Sequence, residues 1–314
     1  MKVVELAGGV GGAKLAEGLA AHLATDLTVV VNTADDLELY GLAVWPDHDT
    51  VAYTLAGLDD EQRGWGLRDE TWAVMDRLAD LGDDPWFRLG DLDLATHLWR
   101  TERLRAGARP TDVALGLRAA MRIAPQVLPM ADEPVRTDVR TDDGWLEFQE
   151  YFVRRHQAPT VREVRFRGIE SARATAEVLK AMGAADAIVI APSNPIVSVG
   201  PILALPGIVE GLATARARGV PVVAMSGIIG GRALKGPADR MLAGLGHESS
   251  ALGVARLYAD VATTFIVDAV DADAVPAIEA LGIRTVAFDT IMSDDEARAR
   301  VAGDVLRLAV HPGA

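Results

Sequence analysis

The chain of 314 residues has no cysteine. That single absence removes disulfides, thiolate nucleophiles, iron–sulfur clusters and cysteine-ligated zinc. Basic residues are in the minority: 31 lysines and arginines against 45 aspartates and glutamates leave a formal net charge of −14. Binding nucleic acid requires many cations on one face. A nucleic-acid partner is therefore not expected, while a small anion held by local amides or by a metal remains open. Long apolar runs are missing too. The most apolar region, Ala187 to Ala213, is broken by Pro192, Pro195, Pro201 and Pro206, and the N-terminus has only Lys2 before a short run that holds Glu5 and ends in glycines. Neither a transmembrane helix nor a signal peptide fits, so a cytoplasmic protein without a membrane partner is expected. Half the side chains are hydrophobic, ample for a buried core, and at roughly 100 to 200 residues per domain the length suits one large or two ordinary domains.

The order of apolar runs gives the organisation. A run from Lys2 to Ala7, a glycine-rich Gly8–Gly12, helical spacing over Ala13–Leu23 and a second run Leu27–Val31 form a β-loop-α-β opening. The pattern returns late: strands at Ala187–Ile190, Val220–Met225, Thr263–Asp268 and Arg284–Phe288 alternate with helices at Gly207–Arg218, Ala238–Leu245, Ala274–Leu281 and from Ser293 to about Ala309. Such alternation predicts an α/β protein, a Rossmann-like parallel sheet with helices on both faces. Residues 1–51 and 160–314 are assigned to this core. Residues 52–159 are assigned to a smaller, mainly helical insertion packed on it. Trp65, Trp72, Trp86 and Trp99 read as the insertion's own core, and Asp142-Asp143-Gly144 joins Pro134–Arg140 to Trp145–Arg154 as a hairpin.

Several loops could carry chemistry. Gly8-Gly9-Val10-Gly11-Gly12-Ala13-Lys14 can bring backbone amides to a phosphate at a helix start. It lacks the Ser or Thr that follows the lysine of a P-loop. Nor is it a dinucleotide fingerprint, because Lys14 replaces the third glycine and the next strand ends in Asn32 rather than an acid. The alternative is a tight turn that only packs helix on strand. Asp35 and Asp36 follow the second strand, and Asp47 and Asp49 lie in Pro46-Asp47-His48-Asp49-Thr50. In an extended segment Asp47 and Asp49 would share a face. Four neighbouring carboxylates call for a cation or a polyhydroxylated ligand, although aspartates also cap helices and form turns.

Arg88, between aromatics in Trp86-Phe87-Arg88, can stack on a flat ring or pair with an anion, or else pair with Asp91 or Asp93. His97 reads as a packed helix residue. Pro192-Ser193-Asn194-Pro195 holds Ser193 and Asn194 rigidly after a strand, and Ser226-Gly227-Ile228-Ile229-Gly230-Gly231 and Lys235-Gly236-Pro237 follow another. Polar or glycine-rich loops after several strands of one sheet point together to a nucleotide or sugar-phosphate cleft.

As a set, Gly8–Lys14, Asn32–Asp36, Pro46–Thr50, Phe87-Arg88-Leu89-Gly90-Asp91, Leu128-Pro129-Met130, Pro192–Pro195 and Ile228–Gly231 resemble, in order and over nearly the whole chain, the 2-phospho-L-lactate transferase family of coenzyme F420 biosynthesis. The resemblance implies a magnesium-dependent transfer of 2-phospholactate or phosphoenolpyruvate. The donor would be a guanosine diphosphate-type conjugate, the acceptor the terminal ribityl hydroxyl of the deazaflavin Fo, the leaving group GMP, and the protein a homodimer. Matched motif by motif, Asp49 and Arg88 would contact Fo, with Asp47 beside them. Gly9, Gly11, Gly12, Lys14, Ser193 and Asn194 would line the nucleotide. Asp35 and Asp36 are the candidates for magnesium, and Asp49 for bonding or deprotonating the hydroxyl; all three are the candidate catalytic residues. Gly227 departs from the proline expected there. A related class, nucleotide-sugar-binding regulatory proteins of the same fold, carries a glycine- and serine-rich stretch where this chain has Leu37-Glu38-Leu39-Tyr40-Gly41.

Overall fold

Side chains alternate across a strand, so each apolar run supplies both faces of whatever sheet it joins. The computed structural model describes residues 1–310. Seven runs pair there as one sheet: β1 (Val3–Ala7), β2 (Leu27–Val31), β3 (Gln126–Pro129), β4 (Ala187–Ile190), β5 (Val222–Met225), β6 (Thr264–Asp268) and β7 (Arg284–Phe288). Their order is β7-β6-β5-β4-β1-β2-β3, and every neighbouring pair is parallel. The chain moves outward from β1 to β3, returns to the other side of β1, and moves outward again from β4 to β7. The order therefore reverses between β1 and β4, which leaves a crevice at the C-terminal ends of those two strands.

One face of the sheet buries Val4, Leu6, Ile188, Ile190 and Phe265. The other buries Val3, Ala7, Val29, Val189 and Ile266 against helix α1 (Gly9–Leu23) and the terminal helix Asp295–Val310. These two helices cross closely, since a Cβ on Gly18 would lie 2.3 Å from the Arg298 carbonyl oxygen. Glu5 interrupts the apolar pattern of β1. It is fully buried between Val29 and Val189, with no partner for either oxygen, and burial pushes its carboxyl well above the ordinary range.

Helix α2 (Pro46–Leu55) straddles the boundary expected at residue 51 and packs Val51 and Ala52 into the main core, and the insertion holds helices α3 (Ala73–Asp80), α4 (Asp91–Arg105) and α5 (Pro110–Ala120). The boundaries differ from expectation at two further points. The run Gln126–Pro129, inside the segment read as insertion, is an edge strand of the main sheet paired to β2; a terminal proline is tolerated there because an edge needs no second ladder. The hairpin Arg136–Thr141 and Gly144–Glu147 gains a third strand, Glu163–Arg167, from the segment read as core. Residues Glu150–Arg154, read as strand, coil into a helical turn instead. Helices at Ala176–Ala184, Val199–Ala204 and Ala251–Tyr258 add to those anticipated.

Candidate active site

A large cleft, about 980 Å³, lies over the reversal point and runs beneath the insertion. Its floor is backbone. α1 starts at Gly9 rather than Ala13, so the glycines form the helix's first turn; Gly9, Val10 and Gly11 line the cleft, and the Gly9 N–H is bonded to the Asp47 carboxylate. The glycines are required by close approach. A Cβ on Gly11 would stand 2.4 Å from the Pro192 carbonyl oxygen, and one on Gly8 would stand 2.6 Å from an Asp47 carboxylate oxygen. Gly12 lies outside the cleft wall: it faces Ala7 and the Ser193 hydroxyl and packs helix on strand. The Ser193 hydroxyl accepts from the Gly8 N–H at 3.3 Å and donates to the Gly8 carbonyl at 2.6 Å, locking the loops after β1 and β4 together. Asn194 closes its own turn, accepting from the Ile196 and Val197 amides at 2.9 and 3.3 Å. Both residues line the cleft, but these bonds occupy the Ser193 hydroxyl and the Asn194 carboxamide oxygen. Lys14 lines it as well, donating to the Met292 carbonyl at 2.8 Å.

The acidic side is delivered by a tight hairpin. Leu37–Leu39 and Leu42–Val44 turn through Tyr40 and Gly41, both at positive φ, and feed directly into α2. Pro46 occupies the first turn of α2, where its missing N–H costs nothing, and Asp47 and Asp49 sit where the helix dipole favours negative charge. The expectation that these aspartates share an extended face fails, because in a helix positions i and i+2 diverge. Asp47 accepts from the Asn32 carboxamide at 2.9 Å, and burial raises its carboxyl to about 6. Asn32 thus serves as the anchor of Asp47.

Asp49 turns the other way, onto the guanidinium of the fully buried Arg100. Burial alone would raise its carboxyl, but Arg100, His48 and His97 hold it well below the carboxylate range. Arg100 is itself fixed, over the Trp45 ring at 4.3 Å and bonded to the Ala43 carbonyl and His97 Nδ1, each at 3.1 Å. His97 Nε2 lies 3.2 Å from Asp93, whose other oxygen accepts from the Tyr53 hydroxyl at 2.5 Å. Asp49, Asp93 and His97 offer ligand atoms within 4.8 Å of one another. Arg100 bonds one oxygen of Asp49 and the Tyr53 hydroxyl one oxygen of Asp93, so the set is in part an ion-pair network, while Asp49 Oδ2 and His97 Nε2 stay buried without a hydrogen-bond partner. His97, read as a packing residue, is buried in this network and lines the cleft. The signal for it was the spacing Asp93, His97, Arg100 along one face of α4.

Asp35 lines the cleft with one buried carboxylate oxygen unpartnered, and burial, then the charge of Asp47, raises its carboxyl strongly. Asp36, its expected equal, is buried but does not line the cleft; burial raises it against Arg136 and Arg100.

The far wall comes from the insertion. Trp65, Trp72 and Trp86 line the cleft rather than forming a core, whereas Trp99 packs as expected, against Trp45, Val113 and Ala114; a second small core consists of Val44, Met75 and Leu89. Arg63 and Arg88 stand over the Trp72 ring at 5.0 and 5.2 Å, so the ring is capped by charge. Arg88 pairs with Asp76 at 2.6 Å, not with Asp91 or Asp93. Those two are taken by Thr71 and Tyr53 respectively. Arg88 and Asp49, distant in sequence, line the same cleft. Phe148 and Phe152, stacked at 5.4 Å, extend the aromatic wall and were not anticipated.

Fold and site define a doubly wound α/β protein with a deep cleft at the reversal point, amide-rich and acidic at one end, aromatic at the other. The model of the family described as 2-phospho-L-lactate transferase CofD matches residues 3–305, and the chain belongs to this family of transferases. The chain is 46% identical over 316 residues to a phosphoenolpyruvate transferase of Streptomyces griseus, covering 98% of each chain. It is 38% identical to a 2-phospho-L-lactate transferase of Methanosarcina mazei, covering 97% of this chain and 99% of that one. Among solved structures, a UPF0052-family protein of Bacillus halodurans shares the fold, with TM-score 0.65, 16% identity, and 97% and 98% of the two chains covered. Among the described residues no helix is long and apolar enough to cross a membrane.

Proposed function

We propose that this protein transfers a phosphorylated three-carbon acid from its guanosine diphosphate-type conjugate to the terminal ribityl hydroxyl of Fo, releasing GMP, as a step of coenzyme F420 biosynthesis. The observation that carries this reading is the two-ended cleft. One end offers helix amides and rigid loops suited to a diphosphate, the other an aromatic and arginine surface suited to a flat deazaflavin, and carboxylates stand between them. The greater identity to phosphoenolpyruvate transferases supports phosphoenolpyruvate over 2-phospholactate as the acid.

In this reaction the alcohol oxygen bonds to the phosphorus that carries the acid, the bridging P–O bond breaks, GMP departs with that electron pair, and the hydroxyl proton leaves to solvent. Gly11, and Gly9 on giving up its bond to Asp47, bring their amides to the phosphates. Asp49, kept ionised by Arg100, accepts the hydrogen bond of the attacking hydroxyl and orients it. Arg88 and Trp72 cover the ring. Magnesium fits Asp35 and Asp47 better than Asp35 and Asp36, because Asp35 and Asp47 both line the cleft, whereas Asp36, which like Asp35 has an unpartnered buried oxygen, does not. Bound there, the ion would neutralise and align the diphosphate. The same reading carries a cytoplasmic homodimer, which sedimentation of the purified protein tests. Incubation with Fo, magnesium and the donor of each acid, followed by mass measurement of the product, tests the transfer. The expected product is Fo gaining phosphoenolpyruvate, and no product from either donor would overturn the reading.

A further inference from the structure

Beside the main cleft opens a smaller pocket of about 280 Å³, walled in part by Lys14, Thr50, Thr54 and Lys235. Its volume falls below the roughly 300 Å³ at which pockets for drug-sized ligands begin, so it suits a small acid and not a nucleotide or a tricyclic ring. Lys14 comes from α1. Lys235 comes from the loop after β5 and reaches across to the insertion, where its ammonium lies against Gly64; a Cβ on Gly64 would stand 2.1 Å from Lys235 Nζ. Lys14 and Lys235 line both this pocket and the cleft.

Neither ammonium has a carboxylate partner among the described residues, and Lys14 donates only to a backbone carbonyl. The third cation of the wall, Arg298, differs, being paired with Glu17 and with Glu61 at 2.5 and 2.8 Å. Asp59 and Glu61 are the wall's two carboxylates; Glu61 is bonded to Arg298, and its charge, with that of Glu17, also reaches Lys14 without forming an ion pair with it. Burial, then the charges of Arg298 and Lys235, push the Lys14 ammonium down. In a chain of net charge −14, two ammoniums without an ion pair on the wall of one small cavity, whose three cations exceed its two carboxylates, call for an anion.

We propose that Lys14 and Lys235 form the subsite for the carboxylate of the transferred three-carbon acid. The inference rests on the reaction proposed above and deepens it. On that reading the amides of α1's first turn take the diphosphate, so the carboxylate is the charge of the donor left to be matched, and matching it distinguishes the donor from plain GDP.

The test uses Lys235→Met, with Lys235→Arg as the conservative control, and compares the donor's KM with the inhibition constant of GDP, which lacks the acid. The expected result is a donor KM raised about tenfold, a GDP constant changed less than about twofold, and recovery in Lys235→Arg. A parallel rise of both constants would assign the lysine to the diphosphate, and no change in either would leave it without a role; both results overturn the subsite. Calorimetry with free phosphoenolpyruvate needs no turnover. Binding by the unaltered protein that is lost in Lys235→Met supports the subsite, while absent or unchanged binding overturns it. The larger reading fails separately, by absence of product from the unaltered protein with either donor.

Discussion

The two ends of the cleft are built from different material. At the reversal point the walls are main chain: glycine amides, a helix start and a turn set by two prolines, with the Ser193 hydroxyl and Asn194 oxygen spent on holding those loops together. In the insertion the walls are side chains, Trp72 under two arginines and the stacked Phe148 and Phe152, carried on segments with little core of their own. Between them α2 sends Asp47 to the first region through Asn32 and Asp49 to the second through Arg100. A main-chain site tolerates no added atom but owes little to any one functional group. A side-chain site shows the reverse.

The sharpest break should come at the hinge between the regions. Arg100→Met would leave Asp49 buried without its cation, and unfolding in urea should show a loss of about 3–5 kcal/mol. A loss under 1 kcal/mol would mean that the network is ornamental. Next, Asp35→Asn should lower kcat by roughly 10²- to 10³-fold while Fo fluorescence titration stays unchanged. Asp36→Asn should do much less. Equal effects would return Asp36 to the metal site. A smaller change, about tenfold weaker Fo affinity, is expected for Arg88→Ala with GDP affinity unaltered, and a shift in both would erase the distinction between the two ends.

The gentlest test is by pH. Folded Asp47 keeps its proton to about 6, against 3.8 for an unperturbed carboxyl, so between those values the folded state binds more protons and stability falls as pH rises. Asp49 acts with the opposite sign, its contribution present above the unfolded value and lost as pH falls through its lowered one. Melting curves of Asp47→Asn should therefore be flatter than those of the unaltered protein from about pH 4 to 6. An unchanged slope would place the titration elsewhere.

The parallel sheet was legible because its signals are local: β2, β4 and β7 run over the expected residues, and glycines and prolines punctuate the loops that follow β1, β4 and β5. Family membership was legible for the same reason, through short motifs in a fixed order. Edge strand β3 was not, because four residues ending in proline are too short to show a period. The conformation of Pro46–Thr50 was also missed, since its helix is set by Pro46 and the preceding hairpin as much as by its own residues.

What the sequence by itself determined is the α/β core, the amide-rich loop at a helix start and the presence of carboxylates at strand ends, all consequences of periodicity and backbone freedom over a few residues. Tertiary structure alone decided that Asp35 and not Asp36 reaches the cleft, that Arg100 holds Asp49, that three tryptophans form a wall instead of a core, and that Lys14 meets Lys235. Each of these is fixed by burial and charge contributed from segments tens to hundreds of positions apart, and no local pattern encodes which distant partner will neutralise a buried charge.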